Sequence, residues 1–89
     1  MPAMVNVNGR VSDEAHALIS VFDHGFLYGE GFYETLRTYN DQPFLFDRHM
    51  RRLRTSARMM ALEVPLSDQE IAARIRETVD AAALESPEA

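Results

Sequence analysis

Apolar and polar positions alternate in short bursts through the first half of the chain and recur at helical spacing through the second. Met4 to Val7 is a short β-branched run that stops at Asn8-Gly9, a dipeptide suited to the two left-handed positions of a tight hairpin turn, and Val11 begins the return. His16 to Phe22 (HALISVF) is a second apolar run, closed by Asp23-His24-Gly25. Its length and punctuation predict a buried strand, with a helical turn as the alternative that its Ala and Leu allow. Glycines 25, 29 and 31 then break up a stretch carrying Phe26, Leu27 and Tyr28. Glu34 occupies the third glycine position of a G-x-G-x-x-G pattern, so a dinucleotide loop is unsupported and a tight turn or a close backbone approach is expected instead.

From Phe32 to Tyr39 (FYETLRTY) β-branched and aromatic residues predict a strand. Asn40-Asp41-Gln42-Pro43 predicts a turn, and PFLF predicts its return, giving a second hairpin. Alternation sends Phe32, Glu34, Leu36 and Thr38 to one face and Tyr33, Thr35, Arg37 and Tyr39 to the other. Glu34 interrupts the apolar face. A carboxylate between Phe32 and Leu36 must be paired or exposed, and a salt bridge with an arginine is the expected solution.

The second half reads as two helices. Asp47 is the expected N-cap of the first, which runs to about Leu62 with Met50, Leu53, Ala57 and Met60 as its buried stripe. His49, Arg52 and Ser56 share the edge of that stripe, where an arginine can pack its stem and project its head. Arg48, Arg51, Arg54 and Arg58 lie further round and are expected in solvent. Ser67-Asp68-Gln69-Glu70 is a capping box, with Leu66 and Ile71 as its hydrophobic staple. The second helix buries Ile71, Ile75, Val79 and Ala82 and carries Glu70/Arg74 and Arg76/Asp80 at i,i+4 spacing. After Leu84 the polar Glu-Ser-Pro-Glu-Ala segment reads as a tail or the start of a linker. These elements predict an α+β fold: antiparallel β hairpins with two helices packed on one face.

Composition narrows the chemistry. All nine basic residues are arginine and the 89 residues include no lysine, so any step needing a side-chain amine lies outside this chain. With no cysteine there is neither a thiolate nucleophile nor a disulfide, and three scattered histidines give no metal-binding spacing; no metal is expected. No run approaches the roughly 20 apolar residues of a membrane span, and a cytoplasmic protein is the expectation. Residues 1–36 carry one Arg and five acids, residues 37–58 six Arg and two acids, and residues 59–89 two Arg and seven acids. A basic band therefore sits between acidic flanks that would repel a nucleic-acid backbone; a solvated face or a small phosphate fits it better.

Two segments together carry a resemblance. Residues 23–37 (DHGFLYGEGFYETLR), followed by residues 49–57 (HMRRLRTSA), resemble the class IV pyridoxal-phosphate aminotransferases, a group that includes branched-chain and D-amino-acid aminotransferases and aminodeoxychorismate lyase. The likeness covers about residues 4–80. It implies that residues 1–84 form a small N-terminal domain and residues 85–89 a tail or linker, and that a larger catalytic domain lies outside this chain. It further implies that Arg52, next to Leu53, binds the phosphate of pyridoxal 5′-phosphate with His49 supporting it, and that Tyr28 and Tyr33 line the substrate side with Arg37 nearby. For Arg52 a surface role, and for Tyr33 a structural one, remain the alternatives.

By the same resemblance, the partners would be an amino acid, branched-chain or D-configured, and a 2-oxo acid, in a homodimer. No catalytic residue is expected among these 89, because the lysine that would hold the cofactor as a Schiff base lies elsewhere; the chain alone is expected to be inactive. Tyr33 stands where branched-chain enzymes usually carry phenylalanine, whereas Leu36-Arg37 agrees with the branched-chain pattern. Two other activities stay open: a lyase releasing pyruvate from aminodeoxychorismate, and a non-catalytic binding or dimerisation module.

Overall fold

The computed structural model describes residues 3–39 and 42–85. Its first element is the expected hairpin, β1 (Met4–Val7) antiparallel to β2 (Arg10–Asp13), in the register Val5↔Ser12 and Val7↔Arg10. Asn8 at φ 54° and Gly9 at φ 90° form the tip. Two consecutive left-handed residues make a turn whose twist matches that of the strands. The Asn6 side chain accepts the Gly9 N–H at 2.8 Å, fixing the turn from below. After β2 a short 3₁₀ turn (Glu14–His16) is capped by Asp13, which accepts the His16 N–H at 3.0 Å.

The sequence expectation fails over the next stretch. His16 to Phe22 forms no strand: Leu18, Ile19, Val21 and Phe22 are exposed, and nothing among the described residues covers them. A short helix follows instead of a glycine turn. In α1 (His24–Tyr28) the Asp23 carboxylate accepts the Phe26 N–H at 3.2 Å, and Gly29, left-handed at φ 65°, closes the helix by donating to the Gly25 carbonyl. Asp23 and Gly29 are thus N-cap and C-cap. Five residues is too short for periodicity to reveal.

The second hairpin is also reduced. β3 (Thr38–Tyr39) pairs with β4 (Gln42–Pro43), and the Phe44 N–H donates to the Arg37 carbonyl at 2.7 Å. Residues 32–37 run beside it without a paired strand among the described residues, yet they keep the expected alternation: Phe32, Glu34 and Leu36 are half-buried while Tyr33, Thr35 and Arg37 are exposed. Of the turn between the strands, Asn40 and Asp41 lie outside the described residues, as do residues 86–89 of the expected tail.

Helix α2 (Phe46–Met59) begins two residues earlier than an Asp47 cap would place it. Its N-cap is Leu45, left-handed at φ 56° with no side-chain cap, and Asp47 sits in the first turn, where a carboxylate complements the positive helix end. Met50 and Ala57 are the two buried apolar residues described; Leu53 is half-buried, and Met60, expected in the same stripe, lies past the helix end and is exposed. The helix stops in a Schellman motif: Leu62 N–H donates to Ala57 at 2.8 Å and Ala61 N–H to Arg58 at 3.1 Å, with Ala61 left-handed at φ 54°.

Helix α3 (Asp68–Glu85) opens with the predicted capping box, Ser67 N–H donating to Glu70 and Glu70 N–H to the Ser67 hydroxyl, both at 3.1 Å. Ile71, Ile75, Val79 and Ala82 lie on its half-buried side, which packs on the β1–β2 hairpin. There the Asn6 amide donates to the Arg74 carbonyl at 3.4 Å. Arg54 is not in solvent as expected. It is half-buried and clamps the two long helices together, donating to Asp68 at 2.6 and 3.0 Å and to the Leu66 carbonyl at 2.8 Å. The fold is α+β, with two small antiparallel sheets and helices; no helix among the described residues is long and apolar enough to cross a membrane.

Candidate functional site

The extended segment 32–37 runs alongside α2, and alternation turns Glu34 toward the helix edge that carries His49 and Arg52. Glu34 Oε1 accepts from His49 Nδ1 at 2.7 Å and from Arg52 Nη2. The same Arg52 nitrogen lies 3.1 Å from His49 Nδ1. Burial is uneven: the Glu34 and His49 side chains are 15% and 14% exposed, whereas Arg52 is 66% exposed. The arginine therefore has one nitrogen anchored in a semi-buried ion pair and the rest of its head in the open. The Glu34 carboxyl is held below its ordinary value, chiefly by the hydrogen bond from His49 and further by Arg52, which together outweigh the opposing effect of desolvation.

Beside this cluster lies an open cleft of about 590 Å³, walled by Tyr33, Glu34 and Thr35 from the extended segment and by Arg51, Arg52, Thr55 and Ser56 from α2. A second hollow of about 380 Å³, lined by Leu45, Arg48, His49, Arg51 and Arg52, lies on the other side of Arg52. Arg51 and Thr55, like Arg52 and Ser56, are one turn apart on α2, so two guanidinium groups and the Ser56 hydroxyl are available at the first cleft, while the Thr55 hydroxyl donates to the Arg51 carbonyl at 2.9 Å and accepts from Arg58 at 3.2 Å. Arginine presents a planar fork of donors, and hydroxyls donate or accept as needed. The cleft's one carboxylate, Glu34, is already neutralised. Such a donor set suits a small dianion, above all a phosphate.

Two of the site residues expected from the sequence meet here, Arg52 and Tyr33, and His49 joins them through Glu34. The other two stand apart. Tyr28 is exposed on α1, its ring against that of His24 with centroids 4.7 Å apart, and His24 contacts Glu30 at 2.9 Å. Arg37 lies over the Tyr39 ring at 5.4 Å on the flank of the second hairpin. The salt bridge expected for Glu34 is present. Sequence reasoning assigned no site role to Arg51, Thr55 or Glu34. For the first two the signal was available in their spacing from Arg52, at i−1 and i+3, whereas Glu34 is brought in by a long-range contact that no local pattern encodes.

A family profile described as amino-transferase class IV matches residues 31–88, which include the wall segment, all of α2 and the whole described length of α3. The chain belongs to the class IV aminotransferase family. Relatives agree. It is 47% identical over 68 residues to an aminodeoxychorismate lyase of Bacillus subtilis, covering 76% of this chain and 23% of that protein. It is 39% identical over 75 residues to a candidate branched-chain-amino-acid aminotransferase of Methanocaldococcus jannaschii (84% and 26%). It is 33% identical over 73 residues to a D-alanine aminotransferase of Bacillus licheniformis (82% and 26%). The chain spans about a quarter of the length of these class IV relatives. The three names are a lyase and two aminotransferases, the kinds of class IV protein that residues 23–37 and 49–57 resemble.

Proposed function

We propose that this chain contributes the phosphate anchor and one wall of the substrate pocket to a pyridoxal-phosphate-dependent aminotransferase that moves an amino group between an amino acid and a 2-oxo acid. The observation that carries the reading is the half-anchored guanidinium of Arg52 at a cleft whose other available donors are Arg51 and Ser56. Pyridoxal phosphate supplies the electron sink for bond cleavage next to the amino group. The chain's own part is binding and orientation. Arg52 offers its free donors to the phosphate, His49 sits behind Arg52, and Tyr33 presents a phenol at the cleft rim that can hydrogen-bond a carboxylate or cofactor oxygen.

The amine chemistry must come from elsewhere, since the 89 residues contain no lysine. In the same proposal residues 1–84 are a small N-terminal domain, the working protein is a cytoplasmic homodimer, and the isolated chain is inactive. Tyr28 and Arg37 keep a weaker assignment to the substrate side, because both stand apart from the Arg52 cleft. The deciding measurement is cofactor binding by the full-length protein. Arg52→Ala is expected to weaken pyridoxal phosphate binding about 10- to 100-fold, as loss of a charge-assisted hydrogen-bond pair does. Unchanged affinity would remove the assignment.

A second reading is carbon–oxygen lyase chemistry, supported by the 47% identity to an aminodeoxychorismate lyase. Pyruvate formed from aminodeoxychorismate without any oxo-acid acceptor would favour it; a strict requirement for an acceptor would favour transamination.

A further inference from the structure

Glu34 is the one carboxylate lining the Arg52 cleft, in a place where an anion would otherwise be unwelcome. Its geometry explains why it is tolerated. One oxygen of Glu34 meets both His49 Nδ1, at 2.7 Å, and Arg52 Nη2. An ionised carboxylate only accepts hydrogen bonds, so Nδ1 of His49 must carry the proton and donate it. The 3.1 Å approach of Arg52 Nη2 to that nitrogen is then a contact between two donors that share one acceptor. Neither donor can turn away without leaving the carboxylate, itself only 15% exposed, short of a partner. Arg52 has no other anchor: its side chain is 66% exposed, and its only hydrogen-bond acceptor among the described residues is Glu34.

We infer that Glu34 is a positioning residue: by holding one nitrogen of Arg52 and the Nδ1–H tautomer of His49 on a single carboxylate oxygen, it aims the remaining guanidinium donors into the cleft for a phosphate. The inference rests on the phosphate reading of Arg52 and deepens it. An unanchored arginine on a helix edge samples many rotamers, and ordering it at the moment of binding costs conformational entropy that the Glu34 contact removes beforehand. Against this stands the repulsion between Glu34 and the incoming dianion. The pairing with two donors offsets it, so the net effect of Glu34 is to tighten phosphate binding.

The test compares pyridoxal phosphate with pyridoxal, which lacks the phosphate, by equilibrium dialysis on the full-length protein. Glu34→Ala is expected to weaken pyridoxal phosphate binding about 5-fold and leave pyridoxal binding unchanged. In the Glu34→Ala/Arg52→Ala double variant no loss beyond that of Arg52→Ala is expected, because the carboxylate acts only through the arginine. Glu34→Gln, which keeps an acceptor oxygen and loses the charge, should fall between wild type and Glu34→Ala. Nitrogen-15 spectra of the imidazole should show the Nδ1–H tautomer of His49 in the wild type and a mixture in Glu34→Ala.

Five results overturn the inference: equal losses for both ligands, additive losses in the double variant, unchanged phosphate binding in Glu34→Ala, tighter phosphate binding in Glu34→Ala, or an unchanged His49 tautomer. Should Arg52→Ala leave pyridoxal phosphate affinity intact, the phosphate reading itself fails. Loss in Arg52→Ala with none in Glu34→Ala refutes positioning alone.

Discussion

At the scale of single residues, Glu34 shows how a half-buried charge reports its partners. Its carboxyl titrates near 4.5 when unfolded and lower in the fold, where His49 and Arg52 stabilise the anion. A group whose folded value is depressed contributes stability that is present above the unfolded value and disappears as the pH falls through the folded one. Urea unfolding of wild type and Glu34→Gln should therefore differ most at about pH 6 and converge in acid; a gap that persists below the titration would mean that packing, not the ion pairs, holds the segment. Gly9 is the other informative residue. At φ 90° a side chain is strained, and a Cβ there would sit 3.3 Å from the Arg74 guanidinium. Gly9→Ala should cost about 1–2 kcal/mol, read as a lower urea midpoint. Both residues differ in legibility: Asn8-Gly9 announces its turn in two letters, whereas Glu34 announces only that it needs a partner, because the residues that pair with it lie 15 and 18 positions away.

Elements were legible where a local rule fixes them. The capping box names both ends of its two hydrogen bonds within four residues, and the 3,4 spacing of Met50, Leu53 and Ala57 fixes the inward side of α2. Where α2 starts was not legible. A carboxylate at Asp47 looks like a cap, but the chain turns at Leu45 in a left-handed conformation that no leucine advertises. The end of α2 carries a similar misfit, since Ala61 occupies the left-handed position of a Schellman motif that glycine fills without strain. Ala61→Gly is accordingly expected to stabilise the protein by about 1 kcal/mol, seen as a melting temperature raised by roughly 4–8 °C. An unchanged or lower melting temperature would show that the strain is relieved elsewhere. Ser67→Ala should act in the opposite direction by about 1 kcal/mol through the lost cap, with fraying at the start of α3 visible in amide exchange.

The apolar runs that misled the reading of residues 16–22 become intelligible at the scale of the whole molecule. Such a run in a sequence signals burial and predicts a strand that buries it; the structure instead leaves Leu18 and Phe22 77% and 81% exposed. The same excess appears in the global numbers. The chain has an accessible surface of 7198 Å², against about 5,300 Å² for a compact monomer of its mass. Its radius of gyration is 14.2 Å, against about 12 Å for a compact chain of this length. A monomer rarely leaves so broad an apolar patch in water. As an isolated 89-residue chain the protein should therefore bind a hydrophobic dye such as anilinonaphthalene sulfonate and sediment with a mass that rises with concentration. Leu18→Ser/Phe22→Ser should suppress both signals while leaving far-ultraviolet circular dichroism unchanged, since neither residue lies in a helix or strand. A dye-silent chain that stays monomeric at high concentration would mean that residues 16–28 fold back onto the domain in solution, and the exposed apolar band would no longer explain its surplus surface.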